Sequence, residues 1–136
     1  MIRAAEKADV PAMLAIYAPY VLETTVTFEY AVPTLSEFED RFSAVTEKLP
    51  WLVWEEKGAV LGYAYASLPF TRAAYAWCAE PSIYLRSDAR GRGIGKRLYA
   101  ALEAILLELG YVVSYAIITG ATTPSLAFHY AIGYRK

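Results

Sequence analysis

Arg90-Gly91-Arg92-Gly93-Ile94-Gly95 lies between an apolar strand-like run and a long helix-like run, and its reading decides the fold. Upstream, Ser82-Ile83-Tyr84-Leu85 is rich in β-forming residues and is closed by the turn residues Ser87-Asp88. Downstream, Leu98, Leu102, Ile105, Leu106 and Leu109 recur at helical spacing, and Gly110 follows as a C-terminal stop. The local order is therefore strand, glycine loop, helix. Glycines there let the chain turn tightly and aim several N–H groups at one point, at the positive end of the helix dipole. Such a turn is an anion cradle of a size to take a phosphate.

Two familiar phosphate loops are excluded by spacing. A Walker-type loop requires Gly-x-x-x-x-Gly-Lys-Ser/Thr, but Gly95-Lys96 is followed by Arg97 and Arg90 stands five positions before Gly95. A dinucleotide fingerprint requires a different glycine spacing, with an acidic residue ending a strand about twenty residues on, and neither is present. What remains is Arg-x-x-Gly-x-Gly.

Composition bounds the rest. With 136 residues, 57% of them hydrophobic, the chain is expected to form one domain, 1–136, with a real core. A net charge of −1 gives no general attraction to nucleic acid or acidic membranes, whereas Arg86, Arg90, Arg92, Lys96 and Arg97 concentrate positive charge around the glycine loop. The single cysteine, Cys78, excludes an intrachain disulfide and a multi-cysteine metal site, so no metal is expected, and it fits a reducing compartment. No apolar run is long enough to span a bilayer and the N-terminus lacks a signal-peptide core, so a cytoplasmic protein is expected.

Along the chain the pattern predicts a strand at Ile2 to Ala4 and a helix from about Pro11 to Leu22 capped by Asp9. Thr34-Leu35-Ser36-Glu37 reads as a capping box opening a second helix toward Lys48, with Leu35, Phe38, Phe42 and Val45 along one side. Trp51–Trp54 and Val60–Ser67 flank a hairpin turn at Glu55-Glu56-Lys57-Gly58. After the strand, loop and long helix come a strand at Tyr111 to Ile118 and a short helix from about Ser125 to Ile132.

The loop pattern resembles the pyrophosphate loop of GNAT-superfamily acetyl-coenzyme A-dependent N-acetyltransferases, Gln/Arg-x-x-Gly-x-Gly/Ala. The order β-α-α-β-β-β-α-β-α is that of their α/β fold, a mixed and mostly antiparallel sheet flanked by helices. Longer strings narrow the resemblance to the phosphinothricin and methionine sulfone or sulfoximine N-acetyltransferases. They include the stretch from Ile16-Tyr17-Ala18-Pro19-Tyr20 to Thr27-Phe28-Glu29, then Gly62-Tyr63-Ala64-Tyr65-Ala66, Ala79-Glu80-Pro81-Ser82-Ile83-Tyr84-Leu85, and Pro124-Ser125-Leu126-Ala127-Phe128-His129-Tyr130.

The resemblance implies acetyl-CoA as cosubstrate and a small amino-acid-like amine as acceptor. It places the coenzyme's diphosphate on Arg90, Gly91, Arg92, Gly93, Ile94, Gly95 and Lys96, with pantetheine amides on the backbone of Ile83, Tyr84 and Leu85. Acetyl transfer needs a base for the amine, a stabiliser for the oxyanion and a proton for the thiolate. Glu80 is the candidate base, in an apolar strand ahead of Pro81, where a bulge is expected to re-aim side chains. Its alternative is a solvated or salt-bridged strand carboxylate. His129, the only histidine, matches a second acid/base of the subfamily, with Tyr130 as a competing proton donor and a structural imidazole as the alternative. A Cys78 acyl-enzyme is the minor covalent alternative. Arg72 and Tyr75 match positions that meet the acidic group of the acceptor, and Phe28 and Glu29 match the pocket wall.

Two departures carry expectations of their own. Thr122 stands where the family has a coenzyme-binding asparagine, which implies weaker coenzyme affinity. Family members continue for about thirty residues that form two further strands, so the chain reads as C-terminally short, with an open sheet edge that a homodimer would cover. A coenzyme-binding but catalytically impaired protein, an acetyltransferase for another amine, and an unrelated phosphate-binding α/β domain stay open as readings of the residues.

Overall fold

The computed structural model of the chain describes residues 1–23, 31–67, 78–110 and 113–114. They form strand β1 (Ile2–Ala4), helix α1 (Val10–Glu23), helix α2 (Leu35–Thr46), strands β2 (Trp51–Glu56), β3 (Ala59–Ser67) and β4 (Cys78–Leu85), helix α3 (Ile94–Glu108) and a short strand β5 (Val113–Ser114). The strands build one sheet in chain order. Neighbours pair antiparallel from β1 to β4, and β4 pairs parallel with β5 through Cys78–Val113 and Ala79–Ser114. That last pairing is parallel because α3 carries the chain back across the sheet between the two strands.

Two apolar layers hold the sheet. On one face Leu52, Trp54, Ala64 and Ala66 meet Leu98, Leu102 and Leu106 of α3, with Ile83 and Leu85 packed against them. On the other, Trp51, Val53 and Tyr63 meet Met13, Ile16 and Tyr17 of α1 and Phe38 and Phe42 of α2. This second layer is aromatic. Trp51 stacks on Tyr65 at 4.1 Å, Phe42 meets Trp51 edge-on at 5.2 Å, and Tyr17 meets Tyr84 edge-on at 5.0 Å. Helical spacing thus located the buried stripes of α2 and α3, although Leu35 and Leu109, at the helix ends, are exposed.

The capping box of α2 is present, with the Thr34 hydroxyl accepting from the Glu37 N–H at 3.1 Å and the Glu37 carboxylate from the Thr34 N–H at 2.9 Å. Asp9 is a different case. A 3₁₀ turn at Lys7–Asp9 runs straight into α1, so Asp9 does not cap the helix that follows. Its carboxylate reaches back to the Glu6 N–H at 2.7 Å and takes both Arg3 guanidinium nitrogens at 2.8 Å. The Arg3 hydrogen bonds hold the carboxyl below the usual aspartate range. Asp9→Asn is therefore expected to cost about 1–2 kcal/mol at pH 7, the worth of charge-assisted hydrogen bonds. Because the folded-state pKa is depressed, that stability is present above the unfolded aspartate pKa and fades as pH falls through the folded one. Urea denaturation of both proteins at pH 7 and at acid pH checks this, since the gap must shrink with acidification.

The hairpin turn narrows to Lys57-Gly58, both with positive φ (50° and 79°), the two-residue geometry that matches strand twist. Glu55 and Glu56 belong to β2. The expected bulge at Pro81 is absent: β3 and β4 stay in register through Ala66–Pro81 and Ser67–Glu80. The irregularity lies instead between β2 and β3, where Trp54 faces Gly62 but Glu55 faces Val60, so Leu61 is the extra residue. The register also explains why proline is accommodated. Arg86 N–H bonds the Leu61 carbonyl at 2.8 Å, which fixes the alternation of the ladder, and Pro81 falls at a position whose nitrogen faces away from β3. No β3–β4 hydrogen bond is lost. The β2–β3 bulge turns Leu61 into the α3 layer and Val60 toward the α1–α2 layer. Space favours Gly62 beside it, since a Cβ there would displace Leu85 Cδ2 and come within 3.1 Å of the Tyr84 carbonyl oxygen.

Candidate active site

Strand β4 and the glycine loop lie end to end. Glu80 and Leu85 lie five residue steps apart along the strand, about 17 Å at about 3.3 Å per residue, and the loop follows a single 3₁₀ turn at Ser87–Ala89. Gly91 and Gly93 both have φ of 77°, and a Cβ on either would meet nothing within 4 Å. What these positions require is left-handed backbone rather than room. Gly93 is the N-cap of α3, no side chain caps the helix, and the first hydrogen bond back into the turn is Arg97 N–H to Gly93 carbonyl at 3.2 Å. The N–H groups of Ile94, Gly95 and Lys96 precede it and have no intrahelical acceptor. They point with the helix dipole at whatever lies before the helix, the arrangement that binds anions.

The positive charge around this turn is less concentrated than the sequence suggests. Arg86 is turned onto Asp88, with Nε 2.8 Å from Oδ1, and Arg92 places Nη2 at 2.7 and 2.9 Å from the two Glu56 oxygens. Arg97 lies over the Trp54 ring at 5.9 Å. Lys96 is exposed and forms no ion pair among the described residues. Arg90 donates Nη2 to the Tyr20 hydroxyl at 2.8 Å. Glu56, Lys57, Ala59, Leu61, Arg86, Asp88 and Arg92 line an open depression of about 320 Å³ beside the loop. Arg90 and Lys96 are thus the cations available to an anion at the helix start, while Arg92 is held toward the hairpin by a carboxylate that spacing gave no reason to connect with it.

Along β4 the same alternation that accommodates Pro81 sorts the backbone. Tyr84 bonds into the β3 ladder opposite Tyr63, so it is not available to a ligand's amides as expected. Ile83 and Leu85 turn their N–H and C=O away from β3, toward the β5 side. Leu85 confirms the assignment independently, because its carbonyl accepts from the Tyr20 hydroxyl at 2.8 Å and its N–H lies 3.3 Å from the same oxygen. Ile83 has no partner for either group among the described residues. An extended molecule with amides can add to this edge as a strand would.

Glu80 closes the far end. Pleating places its side chain on the α1–α2 face with Ser82 and Tyr84. It is half-buried, and among the described residues its carboxylate has no hydrogen bond or ion pair. Burial raises its pKa above the ordinary glutamate range. A half-buried carboxylate with raised pKa can accept a proton from an amine or through a water.

Phe28, Glu29, Arg72, Tyr75, Thr122, His129 and Tyr130 lie outside the described residues, as do most of the expected strand after α3 and the final helix. Among the described residues no group of three or more His, Cys, Asp or Glu side chains gathers as a metal site would, and no helix is long and apolar enough to cross a membrane. Tyr20 was not singled out by the sequence; its contact with Arg90 spans 70 residues, and only the fold supplies it.

Comparisons with known proteins bear on the family and the fold. The family model of the acetyltransferase (GNAT) domain matches residues 2–136. A phosphinothricin N-acetyltransferase of Streptomyces viridochromogenes is 34% identical over 133 residues, covering 98% of this chain and 73% of that protein. An L-methionine sulfoximine/L-methionine sulfone acetyltransferase of Pseudomonas paraeruginosa is 34% identical over 137 residues, covering 98% of this chain and 78% of its own. Among solved structures, a GNAT-superfamily phosphinothricin acetyltransferase from Sinorhizobium meliloti in complex with AcCoA superposes with a TM-score of 0.93 at 41% identity, covering 98% of this chain and 73% of that one.

Proposed function

The chain belongs to the GNAT acetyltransferase family, and from that premise we propose that it transfers an acetyl group from acetyl-CoA to the amino group of a small amino-acid-like substrate of the phosphinothricin, methionine sulfone or methionine sulfoximine type. One observation carries the reading: β4 leads from the half-buried carboxylate of Glu80, past the Ile83 backbone turned away from β3, toward a helix start whose first amides have no intrahelical acceptor and, among the described residues, no capping side chain.

When bound, acetyl-CoA supplies an acyl group already activated as a thioester. The amides of Ile94, Gly95 and Lys96, with the Arg90 and Lys96 side chains, would hold its diphosphate, and Ile83 would pair with the amides of its arm. Glu80 then lies where the amine arrives and takes its proton, directly or through water, as nitrogen attacks the thioester carbon. His129 is the proposed proton donor to the departing thiolate, with Tyr130 as the competing group, and Thr122 is a proposed coenzyme contact. Arg72, Tyr75, Phe28 and Glu29 are the proposed acceptor pocket, in which a guanidinium suits a carboxylate, phosphinate or sulfone oxygen. A cytoplasmic location fits the single cysteine. Self-association is supported by Leu107 and Leu109, 67% and 54% exposed at the end of α3 ahead of β5; a stable monomer by light scattering at micromolar concentration would refute it.

Calorimetric titration with CoA, followed by an acetyl-transfer assay on methionine sulfone, tests the reading. Binding in the micromolar range and turnover are expected. No heat of binding below millimolar CoA removes the coenzyme site, and binding without turnover on any amino-acid analogue leaves a coenzyme-binding protein that acts on another amine or on none.

A further inference from the structure

We propose that Tyr20 is a positioning residue for the coenzyme: its hydroxyl ties Arg90, the first residue of the glycine loop, to the end of β4, and so sets the distance between the diphosphate anchor and the backbone that receives the arm. The inference rests on the reading of the loop and β4 as the coenzyme site.

Tyr20 stands in the last turn of α1, on a different element from either group it joins. Its ring is fixed first. It meets Tyr84 edge-on at 5.1 Å, and Tyr84 is itself held by Tyr17 at 5.0 Å and Tyr63 at 5.4 Å. With the ring held, the phenolic oxygen has one position. A hydroxyl has one hydrogen and two lone pairs: the hydrogen goes to the Leu85 carbonyl at 2.8 Å, and the oxygen accepts from the Arg90 guanidinium at 2.8 Å and faces the Leu85 N–H at 3.3 Å. The guanidinium carbon also lies 5.4 Å from the centre of the same ring, within the range of a cation–π contact.

Two consequences follow for a ligand. Arg90 is exposed, and an untethered arginine has about 2 kcal/mol of rotamer entropy to lose on binding an anion; the tether orders it beforehand. At the strand, the hydroxyl occupies the outward backbone groups of Leu85 and leaves those of Ile83, one pleat closer to Glu80, as the pair without a partner among the described residues. The loop and the arm site are thereby held by one side chain in a fixed spacing, as a ligand anchored at both ends requires.

Tyr20→Phe keeps the ring contacts and deletes the hydroxyl. The expected result is a rise of about tenfold in KM for acetyl-CoA and in the calorimetric Kd for CoA, the size of one hydrogen bond to a charged group, with kcat within about twofold of the wild type. A general loss of packing would instead lower the active fraction and leave KM unmoved. Since Tyr20 acts through Arg90, adding Tyr20→Phe to Arg90→Ala should weaken CoA binding little further. An unchanged KM in Tyr20→Phe, or fully additive losses in the double variant, overturns the proposal while leaving the acetyltransferase reading intact. Failure of the wild-type protein to bind CoA removes both. Should Tyr20→Phe not fold, amide hydrogen exchange on the wild type decides: the tether requires a slowed Leu85 amide in the free protein, and exchange as fast as that of an exposed edge amide refutes it.

Discussion

Glu80→Gln is expected to lower kcat for acetyl transfer by about 10²- to 10³-fold, within the range general-base catalysis supplies, and to leave KM for acetyl-CoA within about threefold. The substitution keeps size and polarity and removes only the capacity to take a proton, and Glu80 lies several strand residues from the glycine loop proposed to hold the diphosphate. Steady-state kinetics with methionine sulfone measures both constants. The pH profile supplies a second test. Because burial raises the Glu80 pKa, wild-type kcat/KM should show an acid limb above the ordinary glutamate range, falling as the carboxylate protonates, and the variant should lack it. Stability moves the other way. An ionised, half-buried carboxylate whose pKa is raised by burial costs the fold stability, and that cost develops as pH rises from the unfolded glutamate pKa through the raised folded one. Glu80→Gln should therefore be no less stable than wild type at pH 8, so lost activity cannot be assigned to unfolding. Equal turnover in the two proteins removes Glu80 as the base.

Leu98→Ala should be the most damaging of the conservative truncations, costing about 3 kcal/mol in the range of buried Leu→Ala changes and lowering Tm by roughly 10 °C for a chain of this size. Leu98 is 0% exposed and sits one turn into α3, where it packs with Leu102 against Leu52, Trp54, Ala64 and Ala66 of the sheet. The neighbours are held by β2–β3–β4 pairing and cannot collapse far into the space left behind. Ala100, on the exposed side of the same helix, marks the contrast: Ala100→Ser should change stability by less than about 0.5 kcal/mol. Thermal unfolding of the three proteins decides it, and a Leu98→Ala loss below about 1 kcal/mol would mean that α3 is not anchored through this layer. Since α3 carries the free amides at its first turn, CoA affinity measured well below Tm should be little changed.

Much of this was legible in the residues because its causes are local. The capping box at Thr34 and Glu37, the turn at Lys57-Gly58, the apolar stripe of α3 and the glycine loop each depend on a few adjacent residues and on backbone rules that hold in any protein. Glu80 could be singled out from a short string, because a carboxylate in an apolar strand is unusual wherever it occurs. Asp9 was misread because Asp in front of a helix has two uses, and the choice depended on Arg3 arriving from β1. Pro81 was read as a bulge because the chain alone does not say which way its nitrogen faces; the register with β3 does.

By itself the sequence determined the order of the elements from β1 to α3, the apolar stripes of α2 and α3, and the glycine loop between β4 and α3, since each is set by periodicity and by the φ values that glycine allows. Only the tertiary structure decided which backbone groups of β4 are turned away from β3, that among the described residues the Glu80 carboxylate meets no partner, that Glu56 takes Arg92 away from the loop, and that Tyr20 joins Arg90 to Leu85. These depend on pairing register and on contacts between residues 36 to 70 positions apart, and nothing in the spacing of a chain fixes those until the sheet has closed around its core.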